Sequence, residues 1–262
     1  MLFPTQSPVP SSDPPMPQLG FLSRVREACL DLLFPRDCML TGVPVDNPPW
    51  RYLSPAALQS LPRVQAPFCD TCGYPFSGML AGARRCSHCE ELDPAFGRGR
   101  TAMLAKGNAR SLIIDLKYHK AVWLAEDLAR LIATTPGYPE HLRGAVLVPV
   151  PLHPRRERWR GYNQSRLVLE KLVRLLPQDN LALADILVRT RDTPTQTRLD
   201  RAHRATNIKG AFALRAGAVP DLARRHVVFD DVFTTGATLN ACCMVLADAG
   251  VTTVDIASLA HG

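Results

Sequence analysis

Several features that would assign this chain to a membrane or secretory class are missing from it. The 262-residue sequence has no apolar run long enough to cross a bilayer as a helix, which takes roughly 18 residues or more. Its first residues, MLFPTQSP, have neither the basic segment nor the apolar core of a secretory signal. We therefore expect a cytoplasmic protein with no membrane insertion.

Aromatic residues are few, and no internal repeat is visible. Phe, Trp and Tyr make up 6% of the chain, which counts against a surface dedicated to stacking nucleobases. Hydrophobic residues at 46% and charged residues at 21% are ordinary proportions for a soluble globular protein. The length allows one large domain or two modest ones.

Acidic residues are outnumbered by basic ones, 24 to 31, for a formal net charge of +7. The surplus is concentrated in segments 141–174 and 189–209. Either these segments form solvated faces, or they bind a polyanion such as pyrophosphate or nucleic acid. Their basic residues are Arg143, Arg155, Arg156, Arg158, Arg160, Arg166, Lys171, Arg174, Arg189, Arg191, Arg198, Arg201, Arg204 and Lys209.

The second half of the chain alternates short apolar runs with amphipathic segments. Runs that are almost wholly apolar are typical of buried parallel strands, and apolar residues at helical spacing indicate helices. Strands that alternate with helices predict an α/β fold with a parallel sheet flanked by helices. The predicted strands are 145–150, 186–189, 226–229 and 254–259, and the predicted helices are 111–133 (with a break near 118–121), 162–176 and 237–249.

The third predicted strand runs into two acids, Asp230 and Asp231, and a short Thr/Gly turn. Two carboxylates at the end of a buried strand are costly unless something binds them. Ribose hydroxyls, or a Mg²⁺ that carries them, can do so. The turn over 234–238 presents backbone N–H groups and hydroxyls at a helix N-terminus, which favours a phosphate, and Gly236 lets the backbone close around it. The alternative is a simple capping turn beside two solvated acids.

Four of the eight cysteines form two C-x-x-C pairs, Cys69 with Cys72 and Cys86 with Cys89. Thiols stay reduced in the cytosol, so metal ligation is favoured over disulfides. Two such pairs can surround one ion with four thiolates, and this closed coordination is typical of a structural zinc site.

Several motifs, in one order along the chain, carry a family resemblance. The nonapeptide DDVFTTGAT at 230–238 is similar to the phosphoribosyl pyrophosphate (PRPP) motif of type I phosphoribosyltransferases. Most of the chain from about residue 30 resembles the ComF/GntX family. The segments that carry this second resemblance, besides the cysteine pairs, are LIIDLKY (112–118), VPVPLHPRR (148–156), RGYNQS (160–165), RDTPTQ (191–196) and RATNIKGAF (204–212).

The resemblance implies a PRPP site. Asp230 and Asp231 would contact the ribose hydroxyls, with Mg²⁺ bound together with PRPP. Arg155 and Arg156, in the loop after the first predicted strand, would bind pyrophosphate, and 189–212 would form a hood over the site. No catalytic base is assigned, and Lys117 is interpreted as a surface lysine rather than as a phosphate ligand. The residues implied to hold the 5′-phosphate are Thr234, Thr235, Gly236, Ala237 and Thr238.

The resemblance also implies a role in DNA uptake and natural transformation. The site would bind PRPP or a related ribose 5-phosphate, and the protein would be a phosphoribosyltransferase if it is active. The alternative is a non-catalytic module on the same fold that binds single-stranded DNA or senses nucleotides. Single-stranded DNA and other DNA-uptake proteins are the expected partners.

Three parts of the chain are predicted. Residues 1–19 form a disordered tail, 20–95 a helix over 21–34 plus a zinc-binding module, and 96–262 the phosphoribosyltransferase-like domain. ComF-like chains often carry an earlier set of cysteines, of which only Cys38 remains here, with Thr41 in place of its partner. We therefore expect one Zn²⁺ rather than two.

Overall fold

The computed structural model describes residues 36–76, 85–90, 92–192 and 210–262. The predicted tail and the predicted helix over 21–34 lie outside these residues, as does most of the predicted hood. Among the residues described, no helix is both long and apolar enough to span a bilayer.

A parallel sheet forms the centre of the described chain. Its five strands lie in the order β1-β7-β6-β2-β3, and each neighbouring pair is parallel. This confirms the α/β fold class. The strands are β1 Gly99–Leu104, β2 Val146–Pro149, β3 Ala182–Leu183, β6 His226–Phe233 and β7 Val254–His261.

Helices connect the strands and cover the sheet. They are α1 Pro55–Ser60, α2 Ser87–Glu90, α3 Gly107–Tyr118, α4 Ala125–Ala133, α5 Tyr138–Leu142, α6 Pro154–Arg160, α7 Gln164–Leu175 and α8 Ala237–Asp248, with 3-10 turns at Val122–Leu124 and Pro177–Asp179.

Both faces of the sheet are buried, as a parallel sheet requires. Val227 and Phe229 belong to one hydrophobic cluster with α3, α4 and α7, whereas Val228 between them belongs to a second cluster with α8. The four paired cysteines are members of this second cluster. The cysteine module therefore packs on the same face of the sheet as α8.

A separate two-stranded antiparallel ribbon flanks the predicted hood. It consists of β4 Leu187–Arg189 and β5 Phe212–Leu214, with Arg189 opposite Phe212. The strand predicted over 186–189 therefore forms, but in this ribbon rather than in the parallel sheet.

The expected loop that carries Arg155 and Arg156 is instead the short helix α6. Pro154 occupies its first turn, and the His153 side chain caps it by accepting a hydrogen bond from the Arg155 backbone N–H at 3.3 Å. Gly161, at a φ of 89°, ends it. β6 also extends beyond the predicted 226–229 and includes both acids.

Candidate functional site

The order of the strands predicts a ligand crevice at the carboxyl ends of β2 and β6. From β2 the chain passes through α6 and α7 to β3 on one side, and from β6 it passes through α8 to β7 on the other. The connections diverge at this point, and α/β sheets bind ligands where that happens, at the carboxyl ends of the strands. The Val150 backbone N–H donates to Phe229 at 2.8 Å, so the ends of the two strands are held together.

The acids Asp230 and Asp231 lie at this carboxyl end. Asp230 Oδ1 accepts hydrogen bonds from the Asp231 backbone N–H at 2.9 Å and from Ser165 Oγ at 3.3 Å. Asp231 Oδ1 lies 2.8 Å from Lys117 Nζ. Its other oxygen, Oδ2, is buried and has no hydrogen-bond partner among the described residues.

Charge is crowded at this carboxylate pair. Part of Asp230 stays exposed, yet loss of hydration, and then the neighbouring Asp231, raise the pKa of Asp230 to about 7. Burial lowers the pKa of Lys117, but the two carboxylates have the larger combined effect, so the pKa of Lys117 is raised. Lys117 therefore stays a cation, and Asp230 titrates near neutral pH.

The interpretation of Lys117 as a surface lysine is wrong. Its side chain is 21% exposed and forms an ion pair with Asp231, more than 100 residues further along the chain. Ser165, at the start of α7, is a second site residue that the sequence analysis missed. Asn163, the residue before α7, caps this helix. Its Nδ2 donates to the Val150 carbonyl at 2.9 Å, and this bond fixes α7 to the end of β2.

The predicted phosphate loop follows β6 and leads into α8. Gly236 has a φ of 76°, and a Cβ added there would lie 2.7 Å from the Phe233 ring. Only glycine fits this turn without strain. Thr235 Oγ1 accepts from the Ala237 backbone N–H at 3.4 Å, while Thr234 is exposed. The turn therefore lies at the N-terminus of a 12-residue helix, a favourable place for an anion.

The two predicted pyrophosphate ligands differ in their surroundings. Arg156 Nε lies 3.4 Å from Asp192, whereas the Arg155 side chain is 81% exposed and lies 3.9 Å from the same carboxylate. Burial, and then the charge of Arg156, lower the pKa of Arg189, while Asp230 acts on it in the opposite direction. Arg189 of the ribbon thus lies within electrostatic range of both Arg156 and Asp230.

The four paired cysteines lie together as a metal site requires. All are buried, and their Sγ atoms lie within 4.8 Å of one another. Sulfur atoms in a tetrahedral zinc site lie about 3.8 Å apart. Hydrogen bonds with Cys69 raise the pKa of Cys72 and of Cys89, as is expected of thiols crowded together without a cation between them. Cys69, Cys72, Cys86 and Cys89 therefore fit a structural zinc ion.

A second turn with the same backbone begins at Cys38. The Cys38 N–H donates to the Val43 carbonyl at 2.7 Å, and the Gly42 N–H donates to the Cys38 carbonyl at 2.8 Å. In the same way, the Cys69 N–H donates to the Tyr74 carbonyl and the Gly73 N–H donates to the Cys69 carbonyl, both at 2.8 Å. Gly42 and Gly73 share a positive φ, 68° and 77°. No repeat is visible in the sequence, yet the backbone contains one.

The match extends to the second half of each turn. The Ser54 N–H donates to Cys38 Sγ at 3.3 Å, just as the Cys86 N–H donates to Cys69 Sγ at 3.3 Å. Thr41, Ser54 and Ala57 thus occupy the positions that correspond to Cys72, Cys86 and Cys89. The Thr41 and Ser54 hydroxyls hydrogen-bond to each other at 3.2 Å, and Ala57 is fully buried. A hydrogen bond and apolar packing replace the metal ligands in this turn.

Some of the arginines in the basic segments form ion pairs within the protein, whereas others lie at the surface beside aromatic side chains. Arg143 pairs with Asp179, and Arg166 with Glu170. In contrast, Arg158 on α6 is exposed.

Tyr118 and Trp159 lie beside this exposed stretch of α6. Their side chains are 53% and 66% exposed, and their ring centroids are 6.4 Å apart. The Arg160 guanidinium carbon lies 5.5 Å from the centre of the Tyr118 ring. Tyr118 directly follows Lys117 on α3, and Trp159 lies on α6, the helix that follows β2.

Curated relatives match most of the chain. Competence protein F of Haemophilus influenzae is 32% identical over 203 residues, which cover 74% of this chain and 85% of that protein. DNA utilization protein YhgH of Escherichia coli K12 is 30% identical over 231 residues, 86% of this chain and 96% of that protein. No family model matches the chain.

Among solved structures, a hypoxanthine phosphoribosyltransferase from Staphylococcus aureus is similar to this chain with a TM-score of 0.31 and 11% identity. The match covers 53% of this chain and 64% of that one. A TM-score this low gives the likeness no weight.

Restoring three thiols to the Cys38 turn should create a second zinc site. We expect the triple variant Thr41→Cys, Ser54→Cys, Ala57→Cys to bind about one more Zn²⁺ per chain than the unchanged protein, because the backbone already has the geometry of a zinc turn. Elemental analysis of the purified proteins measures the ratio.

A fourth change, Cys38→Ala, provides the matched control, since it removes one ligand from the restored set. The correspondence between the two turns is wrong if the folded triple variant binds no additional zinc.

Proposed function

Since this chain belongs to the ComF/GntX family, with competence protein F and DNA utilization protein YhgH as relatives, we propose that it takes part in DNA uptake and that its crevice binds PRPP or a related ribose 5-phosphate. The observation that carries the second part is the buried Oδ2 of Asp231, which has no hydrogen-bond partner within the part of the chain that the structure describes. A buried acceptor without a donor is costly, and a ribose hydroxyl would satisfy it.

The rest of the crevice suits the other parts of such a ligand. The turn over 234–238, at the N-terminus of α8, takes the 5′-phosphate on its backbone N–H groups. Arg156, and Arg155 at the rim, take the pyrophosphate together with its Mg²⁺. Asp192 lies 3.4 Å from Arg156 and 3.9 Å from Arg155, so pyrophosphate would compete with its carboxylate for both arginines.

Phosphoribosyl transfer is the reaction that this arrangement suits. The bond between C1′ and the pyrophosphate oxygen breaks, pyrophosphate keeps the electron pair, and a nitrogen nucleophile forms the new bond to C1′. The arginines stabilise the charge on the leaving group. Release of pyrophosphate from PRPP in the presence of candidate bases tests this reaction separately from binding.

The Tyr118–Trp159 pair favours a second function, the binding of single-stranded DNA. Aromatic side chains next to exposed arginines are the usual means of holding single strands without sequence preference. Trp159 and Arg158 are neighbours on α6, and both are exposed. This surface would hold the strand whether or not the crevice catalyses a reaction.

Asp231→Asn should weaken PRPP binding in a calorimetric titration with Mg²⁺. We expect a loss of about tenfold or more, since a charge-assisted hydrogen bond to the ribose is removed. Asp248→Asn makes the same change at an exposed position at the far end of α8 and should bind as the unchanged protein does. Unaltered PRPP affinity in a folded Asp231→Asn variant would rule out this site.

Ribose 5-phosphate should bind more tightly as the pH rises from about 6 to 8. The pKa of Asp230 is raised to about 7, so its carboxyl loses its proton, and accepts hydroxyl donors better, through this range. The groups around it are Asp231, Lys117, Ser165, Arg189 and Cys242.

The ligand phosphate also titrates, near pH 6, so a matched variant separates the two effects. Asp230→Asn should remove the rise centred near 7 and leave the one that belongs to the phosphate. The same pH profile in both proteins would exclude Asp230 as its source.

Trp159→Ala should weaken the binding of a short fluorescent oligonucleotide by about 1–3 kcal/mol, the usual contribution of one stacked base. Trp123→Ala is the matched control, because Trp123 is also exposed, at 45%, and its ring pairs with that of Tyr52. Fluorescence anisotropy measures both. Equal losses for the two variants, or none, would exclude the Tyr118–Trp159 surface as the binding site.

A further inference from the structure

We propose that Lys117 takes the place of a divalent cation beside the ribose hydroxyls, so that the crevice binds ribose 5-phosphate without Mg²⁺. The inference rests on the proposed function and states how the sugar end of the ligand is held. Lys117 acts through Asp231 and is therefore a positioning residue.

The position of Lys117 carries the argument. Its Nζ lies 2.8 Å from Asp231 Oδ1, within the crevice, and only 21% of the side chain is exposed. A carboxylate pair in such surroundings needs a cation close by, since its charges are poorly hydrated. The protein supplies one from α3 in direct contact with Asp231, and Arg189 of the ribbon also acts electrostatically on Asp230.

Lys117 is also held in place by its helix. Its neighbour Leu116 is buried in the core, and the Leu116 carbonyl accepts a hydrogen bond from the Tyr162 hydroxyl, next to α7. Ser165, from α7, bonds to Asp230. The cation and the acids are thus fixed by the same pair of helices before any ligand arrives, which lowers the cost of ordering the site.

The acceptor that remains suits a neutral hydroxyl better than a metal ion. Asp231 Oδ2 is buried and accepts no hydrogen bond from any residue described, but Oδ1 of the same carboxylate is already paired with the ammonium of Lys117. A dication at Oδ2 would lie a few ångströms from that ammonium and be repelled by it, whereas a hydroxyl donor would not. Mg²⁺ would then belong to the pyrophosphate of PRPP, and ribose 5-phosphate has no pyrophosphate.

Calorimetric titration of ribose 5-phosphate, in buffer freed of divalent cations over a chelating resin and again with Mg²⁺ added, tests the inference. A resin avoids a soluble chelator, which could remove zinc from the four cysteines, and the zinc content is measured before and after. We expect the unchanged protein to bind equally well in both buffers.

Lys117→Met should bind about tenfold or more weakly without Mg²⁺, since the carboxylate pair loses its cation, and should recover when Mg²⁺ is added. Lys117→Arg should keep metal-independent binding. Lys120→Met is the matched control, an exposed lysine just beyond the end of α3, and should behave as the unchanged protein. A merely structural role for Lys117 would lower binding in both buffers alike.

Binding of ribose 5-phosphate by the unchanged protein only when Mg²⁺ is present would overturn the inference and leave the proposed site intact. Undiminished metal-free binding by Lys117→Met would also overturn it. If neither ribose 5-phosphate nor PRPP binds in either buffer, the proposed site fails as well. The comparison on the unchanged protein needs no variant, so the test stands even if Lys117→Met does not fold.

Discussion

Two adjacent carboxylates at the end of a buried strand are the constraint on which the candidate site depends. Charged groups in such a place require compensation, and three elements of the fold provide it. α3 brings the ammonium of Lys117, α7 brings the hydroxyl of Ser165, and the strand itself brings the Asp231 N–H. Among the described residues one acceptor has no hydrogen-bond partner, Asp231 Oδ2, and it belongs to the β6 residue that follows the point where the connections from β2 and β6 diverge. The need for a donor at this atom links the fold to a ligand.

Local patterns in the sequence predicted the strands and the turn of this site well. β2 and β6 were predictable because a parallel strand covered on both faces must be almost wholly apolar, and Val146–Val148 and Val227–Phe229 are. The turn around Gly236 was predictable because its chemistry lies in consecutive residues. The length of β6 was not, since Asp230 and Asp231 read as the end of a strand although its ladder continues through them.

Contacts between distant segments could not be predicted from local sequence patterns. Lys117 is in the last turn of α3, where a lysine is favoured by the helix dipole and is usually solvated. One signal was present: Lys117 follows the buried Ile113 by four residues and so lies on the apolar face of the helix. The turn at Cys38 shows the same limit. Its likeness to the zinc module lies in backbone hydrogen bonds and in two glycines of positive φ, while three of the four ligand positions have changed. The family resemblance already matched Cys38 and Thr41 to one cysteine pair, but only the three-dimensional structure assigns Ser54 and Ala57 to the other pair.

A crystal structure of the protein grown with ribose 5-phosphate would test the central claim most directly. We predict electron density for the phosphate against the backbone N–H groups of the turn over 234–238, and for a ribose hydroxyl at Asp231 Oδ2, with Lys117 still paired to Oδ1. Ligand density elsewhere on the surface, with water at Asp231 Oδ2 and an open turn before α8, would contradict the assignment of the crevice as a ribose 5-phosphate site.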